Sequence, residues 1–194
     1  LSFEITRQPE HGFFVAPLLP FFIKALVTVL NDHPIFNASV DEERGEILLK
    51  KYYNIGIAVD TGRGLIVPVI RETDRKSIMQ ISADIEDLAG RARAGKLEVD
   101  EMRGGTFTIT NVGVFGNLFG TPIVNQPQVA ILGTGVIEKR PVVIQDAMGN
   151  DALGIRHMSY FGLSYDHRVV DGAMAAFFLN KLKDVLENFP EDAV

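Results

Sequence analysis

The chain has no cysteine in 194 residues. That excludes a disulfide framework, a thiolate nucleophile and a zinc site built on sulfur, so any thiol in its chemistry must arrive on a substrate. Clustered positive charge is missing too. With 19 basic against 25 acidic residues the net charge is -6, and nucleic acid and anionic membrane surfaces, which are drawn to concentrated Lys and Arg, are not expected as partners. An uninterrupted membrane span is also lacking. The most apolar stretch, Phe13 to Leu30, is broken by Pro17, Pro20 and Lys24 and reads as a mostly buried helix that starts at Pro20 and is ended by Asn31, Asp32 and Pro34. The loop with Gly113, Gly116 and Gly120 fits neither G-x-G-x-x-G nor a phosphate loop with a following G-K-S/T, which argues against a nucleotide site. No G-x-S-x-G elbow supports a serine hydrolase. His11, His33 and His157 have no metal-ligand spacing, so no metal is expected. There is no internal repeat and no linker.

What is present is an ordinary globular composition, 46% hydrophobic and 23% charged, in a chain long enough for one sizeable core. The patterning predicts an α/β fold. Ile35 to Val40 and Ile47 to Val59 read as strands around the charged turn Asp41 to Glu46, and the turn Thr61-Gly62-Arg63-Gly64 feeds a further strand, Leu65 to Ile70. Ile78, Ile81, Ile85, Leu88 and Ala92 step by three and four residues, which predicts an amphipathic helix closed by Gly95. Thr106 to Thr110, Val129 to Ile137, Val142 to Ile144 and Met158 to Leu163 follow as strands, and Gly172 to Glu187 as the last helix.

The stretch from Ser164 to Gly172, Ser-Tyr-Asp-His-Arg-Val-Val-Asp-Gly, joins that last strand to the last helix. His167 therefore sits where a strand delivers a base to a turn, and Asp171 stands at a helix start, where a carboxylate caps the first amides. Taken alone, a histidine beside an acid is more often structural than catalytic. Thr110 taken alone is an ordinary strand threonine.

The motif H-x-x-x-D-G at His167 to Gly172 resembles the active-site signature of the dihydrolipoyl acyltransferases. So do, in family order, Pro20 to Ala25, Asn37-Ala38-Ser39, Gly64 to Pro68, Gly105 to Asn111 and Pro122 to Asn125. The resemblance covers roughly residues 20–189 and divides the chain into a segment without a recognised motif, 1–19, and an acyltransferase domain, 20–194, that lacks the family's leading segment. It implies a mixed β-sheet with packed helices, like chloramphenicol acetyltransferase. It implies transfer of an acyl group between S-acyl-dihydrolipoamide and coenzyme A, with His167 as base, Thr110 as hydroxyl donor to the oxyanion and Asp171 holding the site in shape. In the family that acid is partnered by an arginine from the leading segment; Arg7 falls in no recognisable motif of that kind, and Arg168 is a local candidate. Ser164 is placed near the pantetheine arm, Asn125 near the lipoyl side, and Gly172 where loop and helix approach closely.

The resemblance further implies a homotrimer that builds a larger hollow core, with the site between subunits. The lipoyl group would come from a lipoyl domain outside this chain, since Glu72-Thr73-Asp74-Arg75 has arginine where a lipoylated lysine would stand. The dehydrogenase and dihydrolipoamide dehydrogenase components are the implied partners, in the cytoplasm or in the mitochondrial matrix of a eukaryote. Acetyl, succinyl and branched-chain acyl groups remain open, as do a non-catalytic core protein and a small-molecule O-acetyltransferase of the same fold.

Overall fold

The computed structural model describes residues 18–146 and 148–189. The segment 1–19 therefore lies almost wholly outside the described residues, with Arg7, His11 and the start of the apolar stretch. Helix α1 spans Leu19–Asp32 with Pro20 in its first turn, where a missing N–H costs nothing. It buries Ile23, Ala25, Leu26, Val27, Val29 and Leu30. Its polar stripe is anchored rather than free. The Lys24 ammonium donates to the Asp74 and Lys76 carbonyls at 3.4 and 2.9 Å, and the Tyr53 hydroxyl donates to Asn31 at 3.2 Å. No helix among the described residues is long and apolar enough to cross a membrane.

Most strands up to β8 are shorter than the sequence predicts, and the breaks have identifiable causes. Pro34–Phe36 is a single 3-10 turn, which leaves only Ala38–Asp41 for β1. The expected strand from Ile47 to Val59 is three pieces, β2 (Glu46–Leu49), β3 (Ile55–Ile57) and β4 (Val59–Asp60). Between β2 and β3 the chain turns around the Asn37 amide, which donates to the Lys50 and Tyr52 carbonyls at 3.1 and 3.0 Å. Pro68, which cannot donate to a ladder, separates β5 (Leu65–Ile66) from β6 (Val69–Ile70). Helix α2, Ile78–Arg93, follows the predicted apolar steps; Ser77 and Gln80 form a reciprocal capping box, and Gly95 at φ 65° closes it.

Strand β7 is Phe107–Asn111 and β8 is Ala130–Thr134, shorter than the run to Ile137. Beyond β8, the expected three-residue strand at Val142 is an eight-residue strand, β9 (Glu138–Gln145), paired along its whole length with β10 (Asp151–Met158). β10 takes the start of the strand predicted at Met158, so β11 is Phe161–Tyr165. Helix α3, Gly172–Glu187, matches its prediction.

The central sheet has the order β11-β8-β7-β3-β6. β7 runs parallel to both β8 and β3, while β11 and β6 are antiparallel edges, so the sheet is mixed. Side chains alternate across it. Ile55, Ile57, Phe107, Ile109, Ala130 and Leu132 enter the core beneath α1 and α3, where Phe36, Phe107 and Phe178 are wholly buried. Burying each such ring contributes about 1.5–3 kcal/mol.

Candidate functional site

Strand β11 ends at Tyr165, opposite Ala130, and the next amide, Asp166, still donates to the Val129 carbonyl at 2.8 Å. There the chain turns. The Asp166 carbonyl accepts the amides of Val169 and Val170, both at 3.0 Å. Arg168 closes the turn from outside: its guanidinium grips both Asp166 carboxylate oxygens at 2.7–3.1 Å and reaches Glu42, after β1, at 2.7 Å. The Arg168 guanidinium holds the Asp166 carboxyl below the usual carboxylate range. His167 sits between these two residues, exposed at the tip, with the Tyr165 ring behind it at 5.7 Å.

Arg168 is thus committed to Asp166 and Glu42 and does not partner Asp171. The Asp171 carboxylate instead accepts the Met174 amide at 2.8 Å as the N-cap of α3. Gly172 is not demanded by close packing either, because a side chain there would meet nothing nearer than the Tyr165 hydroxyl at 3.9 Å. The close approach expected of it is absent within the chain.

Thr110 lies on β7 opposite Gly133, which lies opposite Gly162 on β11. Phe107 and Ile109 face the helices, so Thr108 and Thr110 face the other way. Ser164 shares that outer face, across Ile131 from Thr108. The glycine-rich loop after β7 is laid over the Thr110 row. Its Gly120 carbonyl lies 2.7 Å from where a Cβ of Gly162 would stand, and Leu118 crosses Gly135 still more tightly, so neither glycine admits a side chain. Asn125 is exposed at the end of this loop, just before the cis Gln126–Pro127 bond, and its carbonyl accepts the Gln128 amide at 3.1 Å. His33 packs between Phe36 and Phe178, and His157 pairs across the β9–β10 ladder with Lys139. His11 lies outside the described residues.

The structure therefore brings His167, Asp171 and Gly172 together at one end of the sheet and puts Thr110 at the other. Tyr165 is level with Ala130, but Thr110 is level with Gly133. Three residues along the strands, two strands across and the reach into the turn separate Thr110 from His167 by on the order of 15 Å. Two groups serving one reacting carbonyl cannot be that far apart. Sequence reasoning missed Glu42 as an anchor of the histidine turn; with 126 residues between the partners, no local pattern could have pointed to it.

The family model for the 2-oxoacid dehydrogenases acyltransferase catalytic domain matches residues 6–193. The acetyltransferase component of the pyruvate dehydrogenase complex of Mycobacterium bovis is 50% identical over 169 residues, which are 87% of this chain and 31% of that protein; the chain thus spans about a third of this relative's length. Among solved structures, the dihydrolipoamide acetyltransferase of Azotobacter vinelandii, in which the catalytic roles of a serine, a histidine and an asparagine were investigated, superimposes with a TM-score of 0.81 at 46% identity, over 87% of this chain and 68% of that one. The cubic core of a pyruvate dehydrogenase multienzyme complex gives 0.81 at 45%, with the same coverage. A chloramphenicol acetyltransferase gives 0.50 at 16%, over 87% of this chain and 77% of that one, which bears on the fold alone. With the mixed sheet, the histidine turn after β11 and a family match over nearly its whole length, the chain belongs to the 2-oxoacid dehydrogenase acyltransferase family and carries that family's catalytic domain.

Proposed function

We propose that this domain transfers an acetyl group between S-acetyl-dihydrolipoamide and coenzyme A, within the core of a pyruvate dehydrogenase complex. The observation that carries the reading is His167, held at an exposed tip by the Asp166–Arg168 clamp, with Asp171 four residues on. The histidine and asparagine investigated in the Azotobacter vinelandii acetyltransferase have the same separation. Acetyl is favoured over succinyl and branched-chain groups because the Mycobacterium bovis relative and the Azotobacter vinelandii enzyme are both acetyltransferases.

A free thiol has a pKa near ~8.5, so a base is needed to make the attacking thiolate near neutrality. His167 takes the coenzyme A thiol proton. The sulfur then bonds to the thioester carbonyl carbon, and the carbonyl oxygen becomes an oxyanion. The Thr110 hydroxyl donates to that oxyanion; one aligned donor is worth about 10²–10³ in rate. When the carbonyl re-forms, the bond to the dihydrolipoamide sulfur breaks and that sulfur recovers the proton from His167. The lipoyl group is brought by a lipoyl domain. The dehydrogenase and dihydrolipoamide dehydrogenase components of the complex are the partners, in the cytoplasm or, in a eukaryote, the mitochondrial matrix.

The separation of His167 from Thr110 supports a site shared between subunits of a homotrimer, each interface joining one subunit's histidine end to its neighbour's threonine end. Exposed apolar side chains support it as well: Phe115, Phe119 and Ile123 on the loop over Thr110 are 63, 62 and 91% exposed. The test is a mixture. His167→Ala and Thr110→Trp homotrimers should each be inactive, losing at least ~10² in turnover. Trimers reassembled from equal amounts should recover activity at about a quarter of sites, those drawing both intact residues from different subunits. No recovery from demonstrably mixed trimers would refute the shared site. Near-normal turnover of folded His167→Ala would refute the mechanism.

A further inference from the structure

The turn that carries His167 has two fixed ends and a tip held almost entirely by itself. At one end the Asp166 amide is bonded to the Val129 carbonyl at 2.8 Å; at the other Val170 is buried and Asp171 caps α3. The bonds between these ends stay inside the turn. The Val169 and Val170 amides donate to the Asp166 carbonyl, and the Arg168 amide and guanidinium donate to the Asp166 carboxylate. Such bonds close the loop on itself but leave open how it is tilted against the sheet. Among the described residues, one polar contact ties the tip to another element: Nη1 of Arg168 donates to the Glu42 carboxylate at 2.7 Å.

Glu42 stands on a firm base for that task. Its strand, β1, is bridged through Ser39 to Gln128, the neighbour of the Val129 that holds the Asp166 amide. The hairpin and the histidine turn are therefore fastened to adjacent residues of one segment. All of β1 is paired with β2, and the hairpin tip is closed by the Asp41 carboxylate, which accepts the Arg44 amide at 3.1 Å. A guanidinium is planar and rigid. With Nε and Nη2 on the Asp166 carboxylate and Nη1 on Glu42, it cannot turn without breaking one of the two contacts. We propose that Glu42 is a positioning residue for His167: through Arg168 it sets the tilt of the histidine turn and so holds the imidazole within hydrogen-bond reach of the thiol. The consequence for catalysis rests on the acyltransferase reading above; the tie itself rests on the geometry. Because the Arg168 and Glu42 side chains are 56 and 71% exposed, the pair adds little to global stability, and its effect is confined to where the tip sits.

The experiment uses the assembled protein with Glu42→Ala, Glu42→Gln and a control, Arg44→Gln, on the same hairpin tip. Glu42→Ala should lower kcat about 3–10-fold, the scale of one exposed ion pair and a small misplacement of the base. KM for coenzyme A and the urea midpoint should stay at their wild-type values. Glu42→Gln keeps an acceptor oxygen for Arg168 and should recover most of the loss, and the control should show none. Hydrogen exchange reads the tilt without any reaction: the Val169 and Val170 amides, bonded to the Asp166 carbonyl, should exchange faster in Glu42→Ala and not in the control. If Glu42 acts only through Arg168, adding Glu42→Ala to Arg168→Ala should lower kcat no further. Unchanged kcat and exchange in Glu42→Ala would overturn the proposal and leave the acyltransferase reading intact, as would a loss confined to KM or independent losses in the double variant. If the wild type proved inactive in acyl transfer, faster exchange in Glu42→Ala would uphold the tie and overturn the acyltransferase reading alone.

Discussion

The central sheet and the β9–β10 ribbon are both built from hydrogen-bonded strands, yet they solve the burial problem in opposite ways. The sheet places Phe107, Ile109 and Leu132 under two helices, with almost nothing of their surface left to water. The ribbon pairs eight residues on each strand and buries only Gly154. One of its faces carries Pro141, Val143, Leu153 and Ile155, and the last two are 83 and 69% exposed. An isolated two-stranded ribbon is marginal in water, and an exposed apolar face on one marks an interaction surface. The sheet is stabilised from within the chain, whereas the ribbon and the loop over Thr110 leave apolar side chains exposed that the proposed trimer would cover.

The sharpest break in this comparison is a cavity in the sheet's core. Phe178 from α3 packs on Phe36 at 4.3 Å and on Phe107 at 6.1 Å between ring centroids, and is wholly buried. Phe178→Ala should cost about 3–5 kcal/mol, read as a lower urea midpoint, and should remove folding and activity together. The ribbon should respond differently. Leu153→Lys with Ile155→Lys should shift the unfolding free energy of the subunit by no more than about 0.5 kcal/mol per site, while analytical ultracentrifugation shows the assembly dissociating. If the double variant still assembles like wild type, the ribbon's apolar face is not an interface.

The same contrast explains what the sequence made legible. Helices α2 and α3 were readable because their apolar steps, and the closing Gly95 of α2, are local signals that packing reinforced. Strand lengths were less readable. Apolar runs such as Ile47 to Val59 continue through residues that leave the ladder, and the reason lies in a distant amide, Asn37. The ribbon was underread because Lys139, Arg140, Arg156 and His157 interrupt its apolar alternation. At the site, the position of His167 after a strand followed from the pattern, but its grip by Arg168 and Glu42 is tertiary. No spacing rule could show that Thr110 lies at the far end of the sheet.

Asp171 gives a smaller effect that separates two roles. Its side chain caps α3 through the Met174 amide, so Asp171→Ala should cost about 1 kcal/mol in urea denaturation. Asp171→Asn keeps a capping oxygen and should recover most of that stability. If the residue's only task is to hold the helix start behind His167, the asparagine variant should recover turnover in parallel with stability. Recovered stability without recovered turnover would mean that the carboxylate charge acts on the site itself.

The least effect expected is electrostatic and lies on α2. Arg91 reaches both Asp87 and Glu101, with contacts of 2.6–2.9 Å, and Glu101 also accepts the Glu98 amide. The hydrogen bonds from Arg91, followed by that amide, lower the Glu101 carboxyl from 4.5 to about 2. A folded-state value below the unfolded one means that the unfolded chain binds the proton more readily. The stabilisation is therefore complete above about 4.5 and is lost as the pH falls from there towards about 2. Because both side chains are partly exposed, at 33 and 29%, the contribution is small and screened by salt. Wild type should exceed Glu101→Gln in urea midpoint at neutral pH, and the gap should narrow steadily once the pH drops below the unfolded value. Taking the difference between the two proteins cancels the other titrating carboxylates, among them Asp146 and Asp166, which are also held low. A gap that stays constant through that range would show that Glu101 acts through its neutral hydrogen bonds alone.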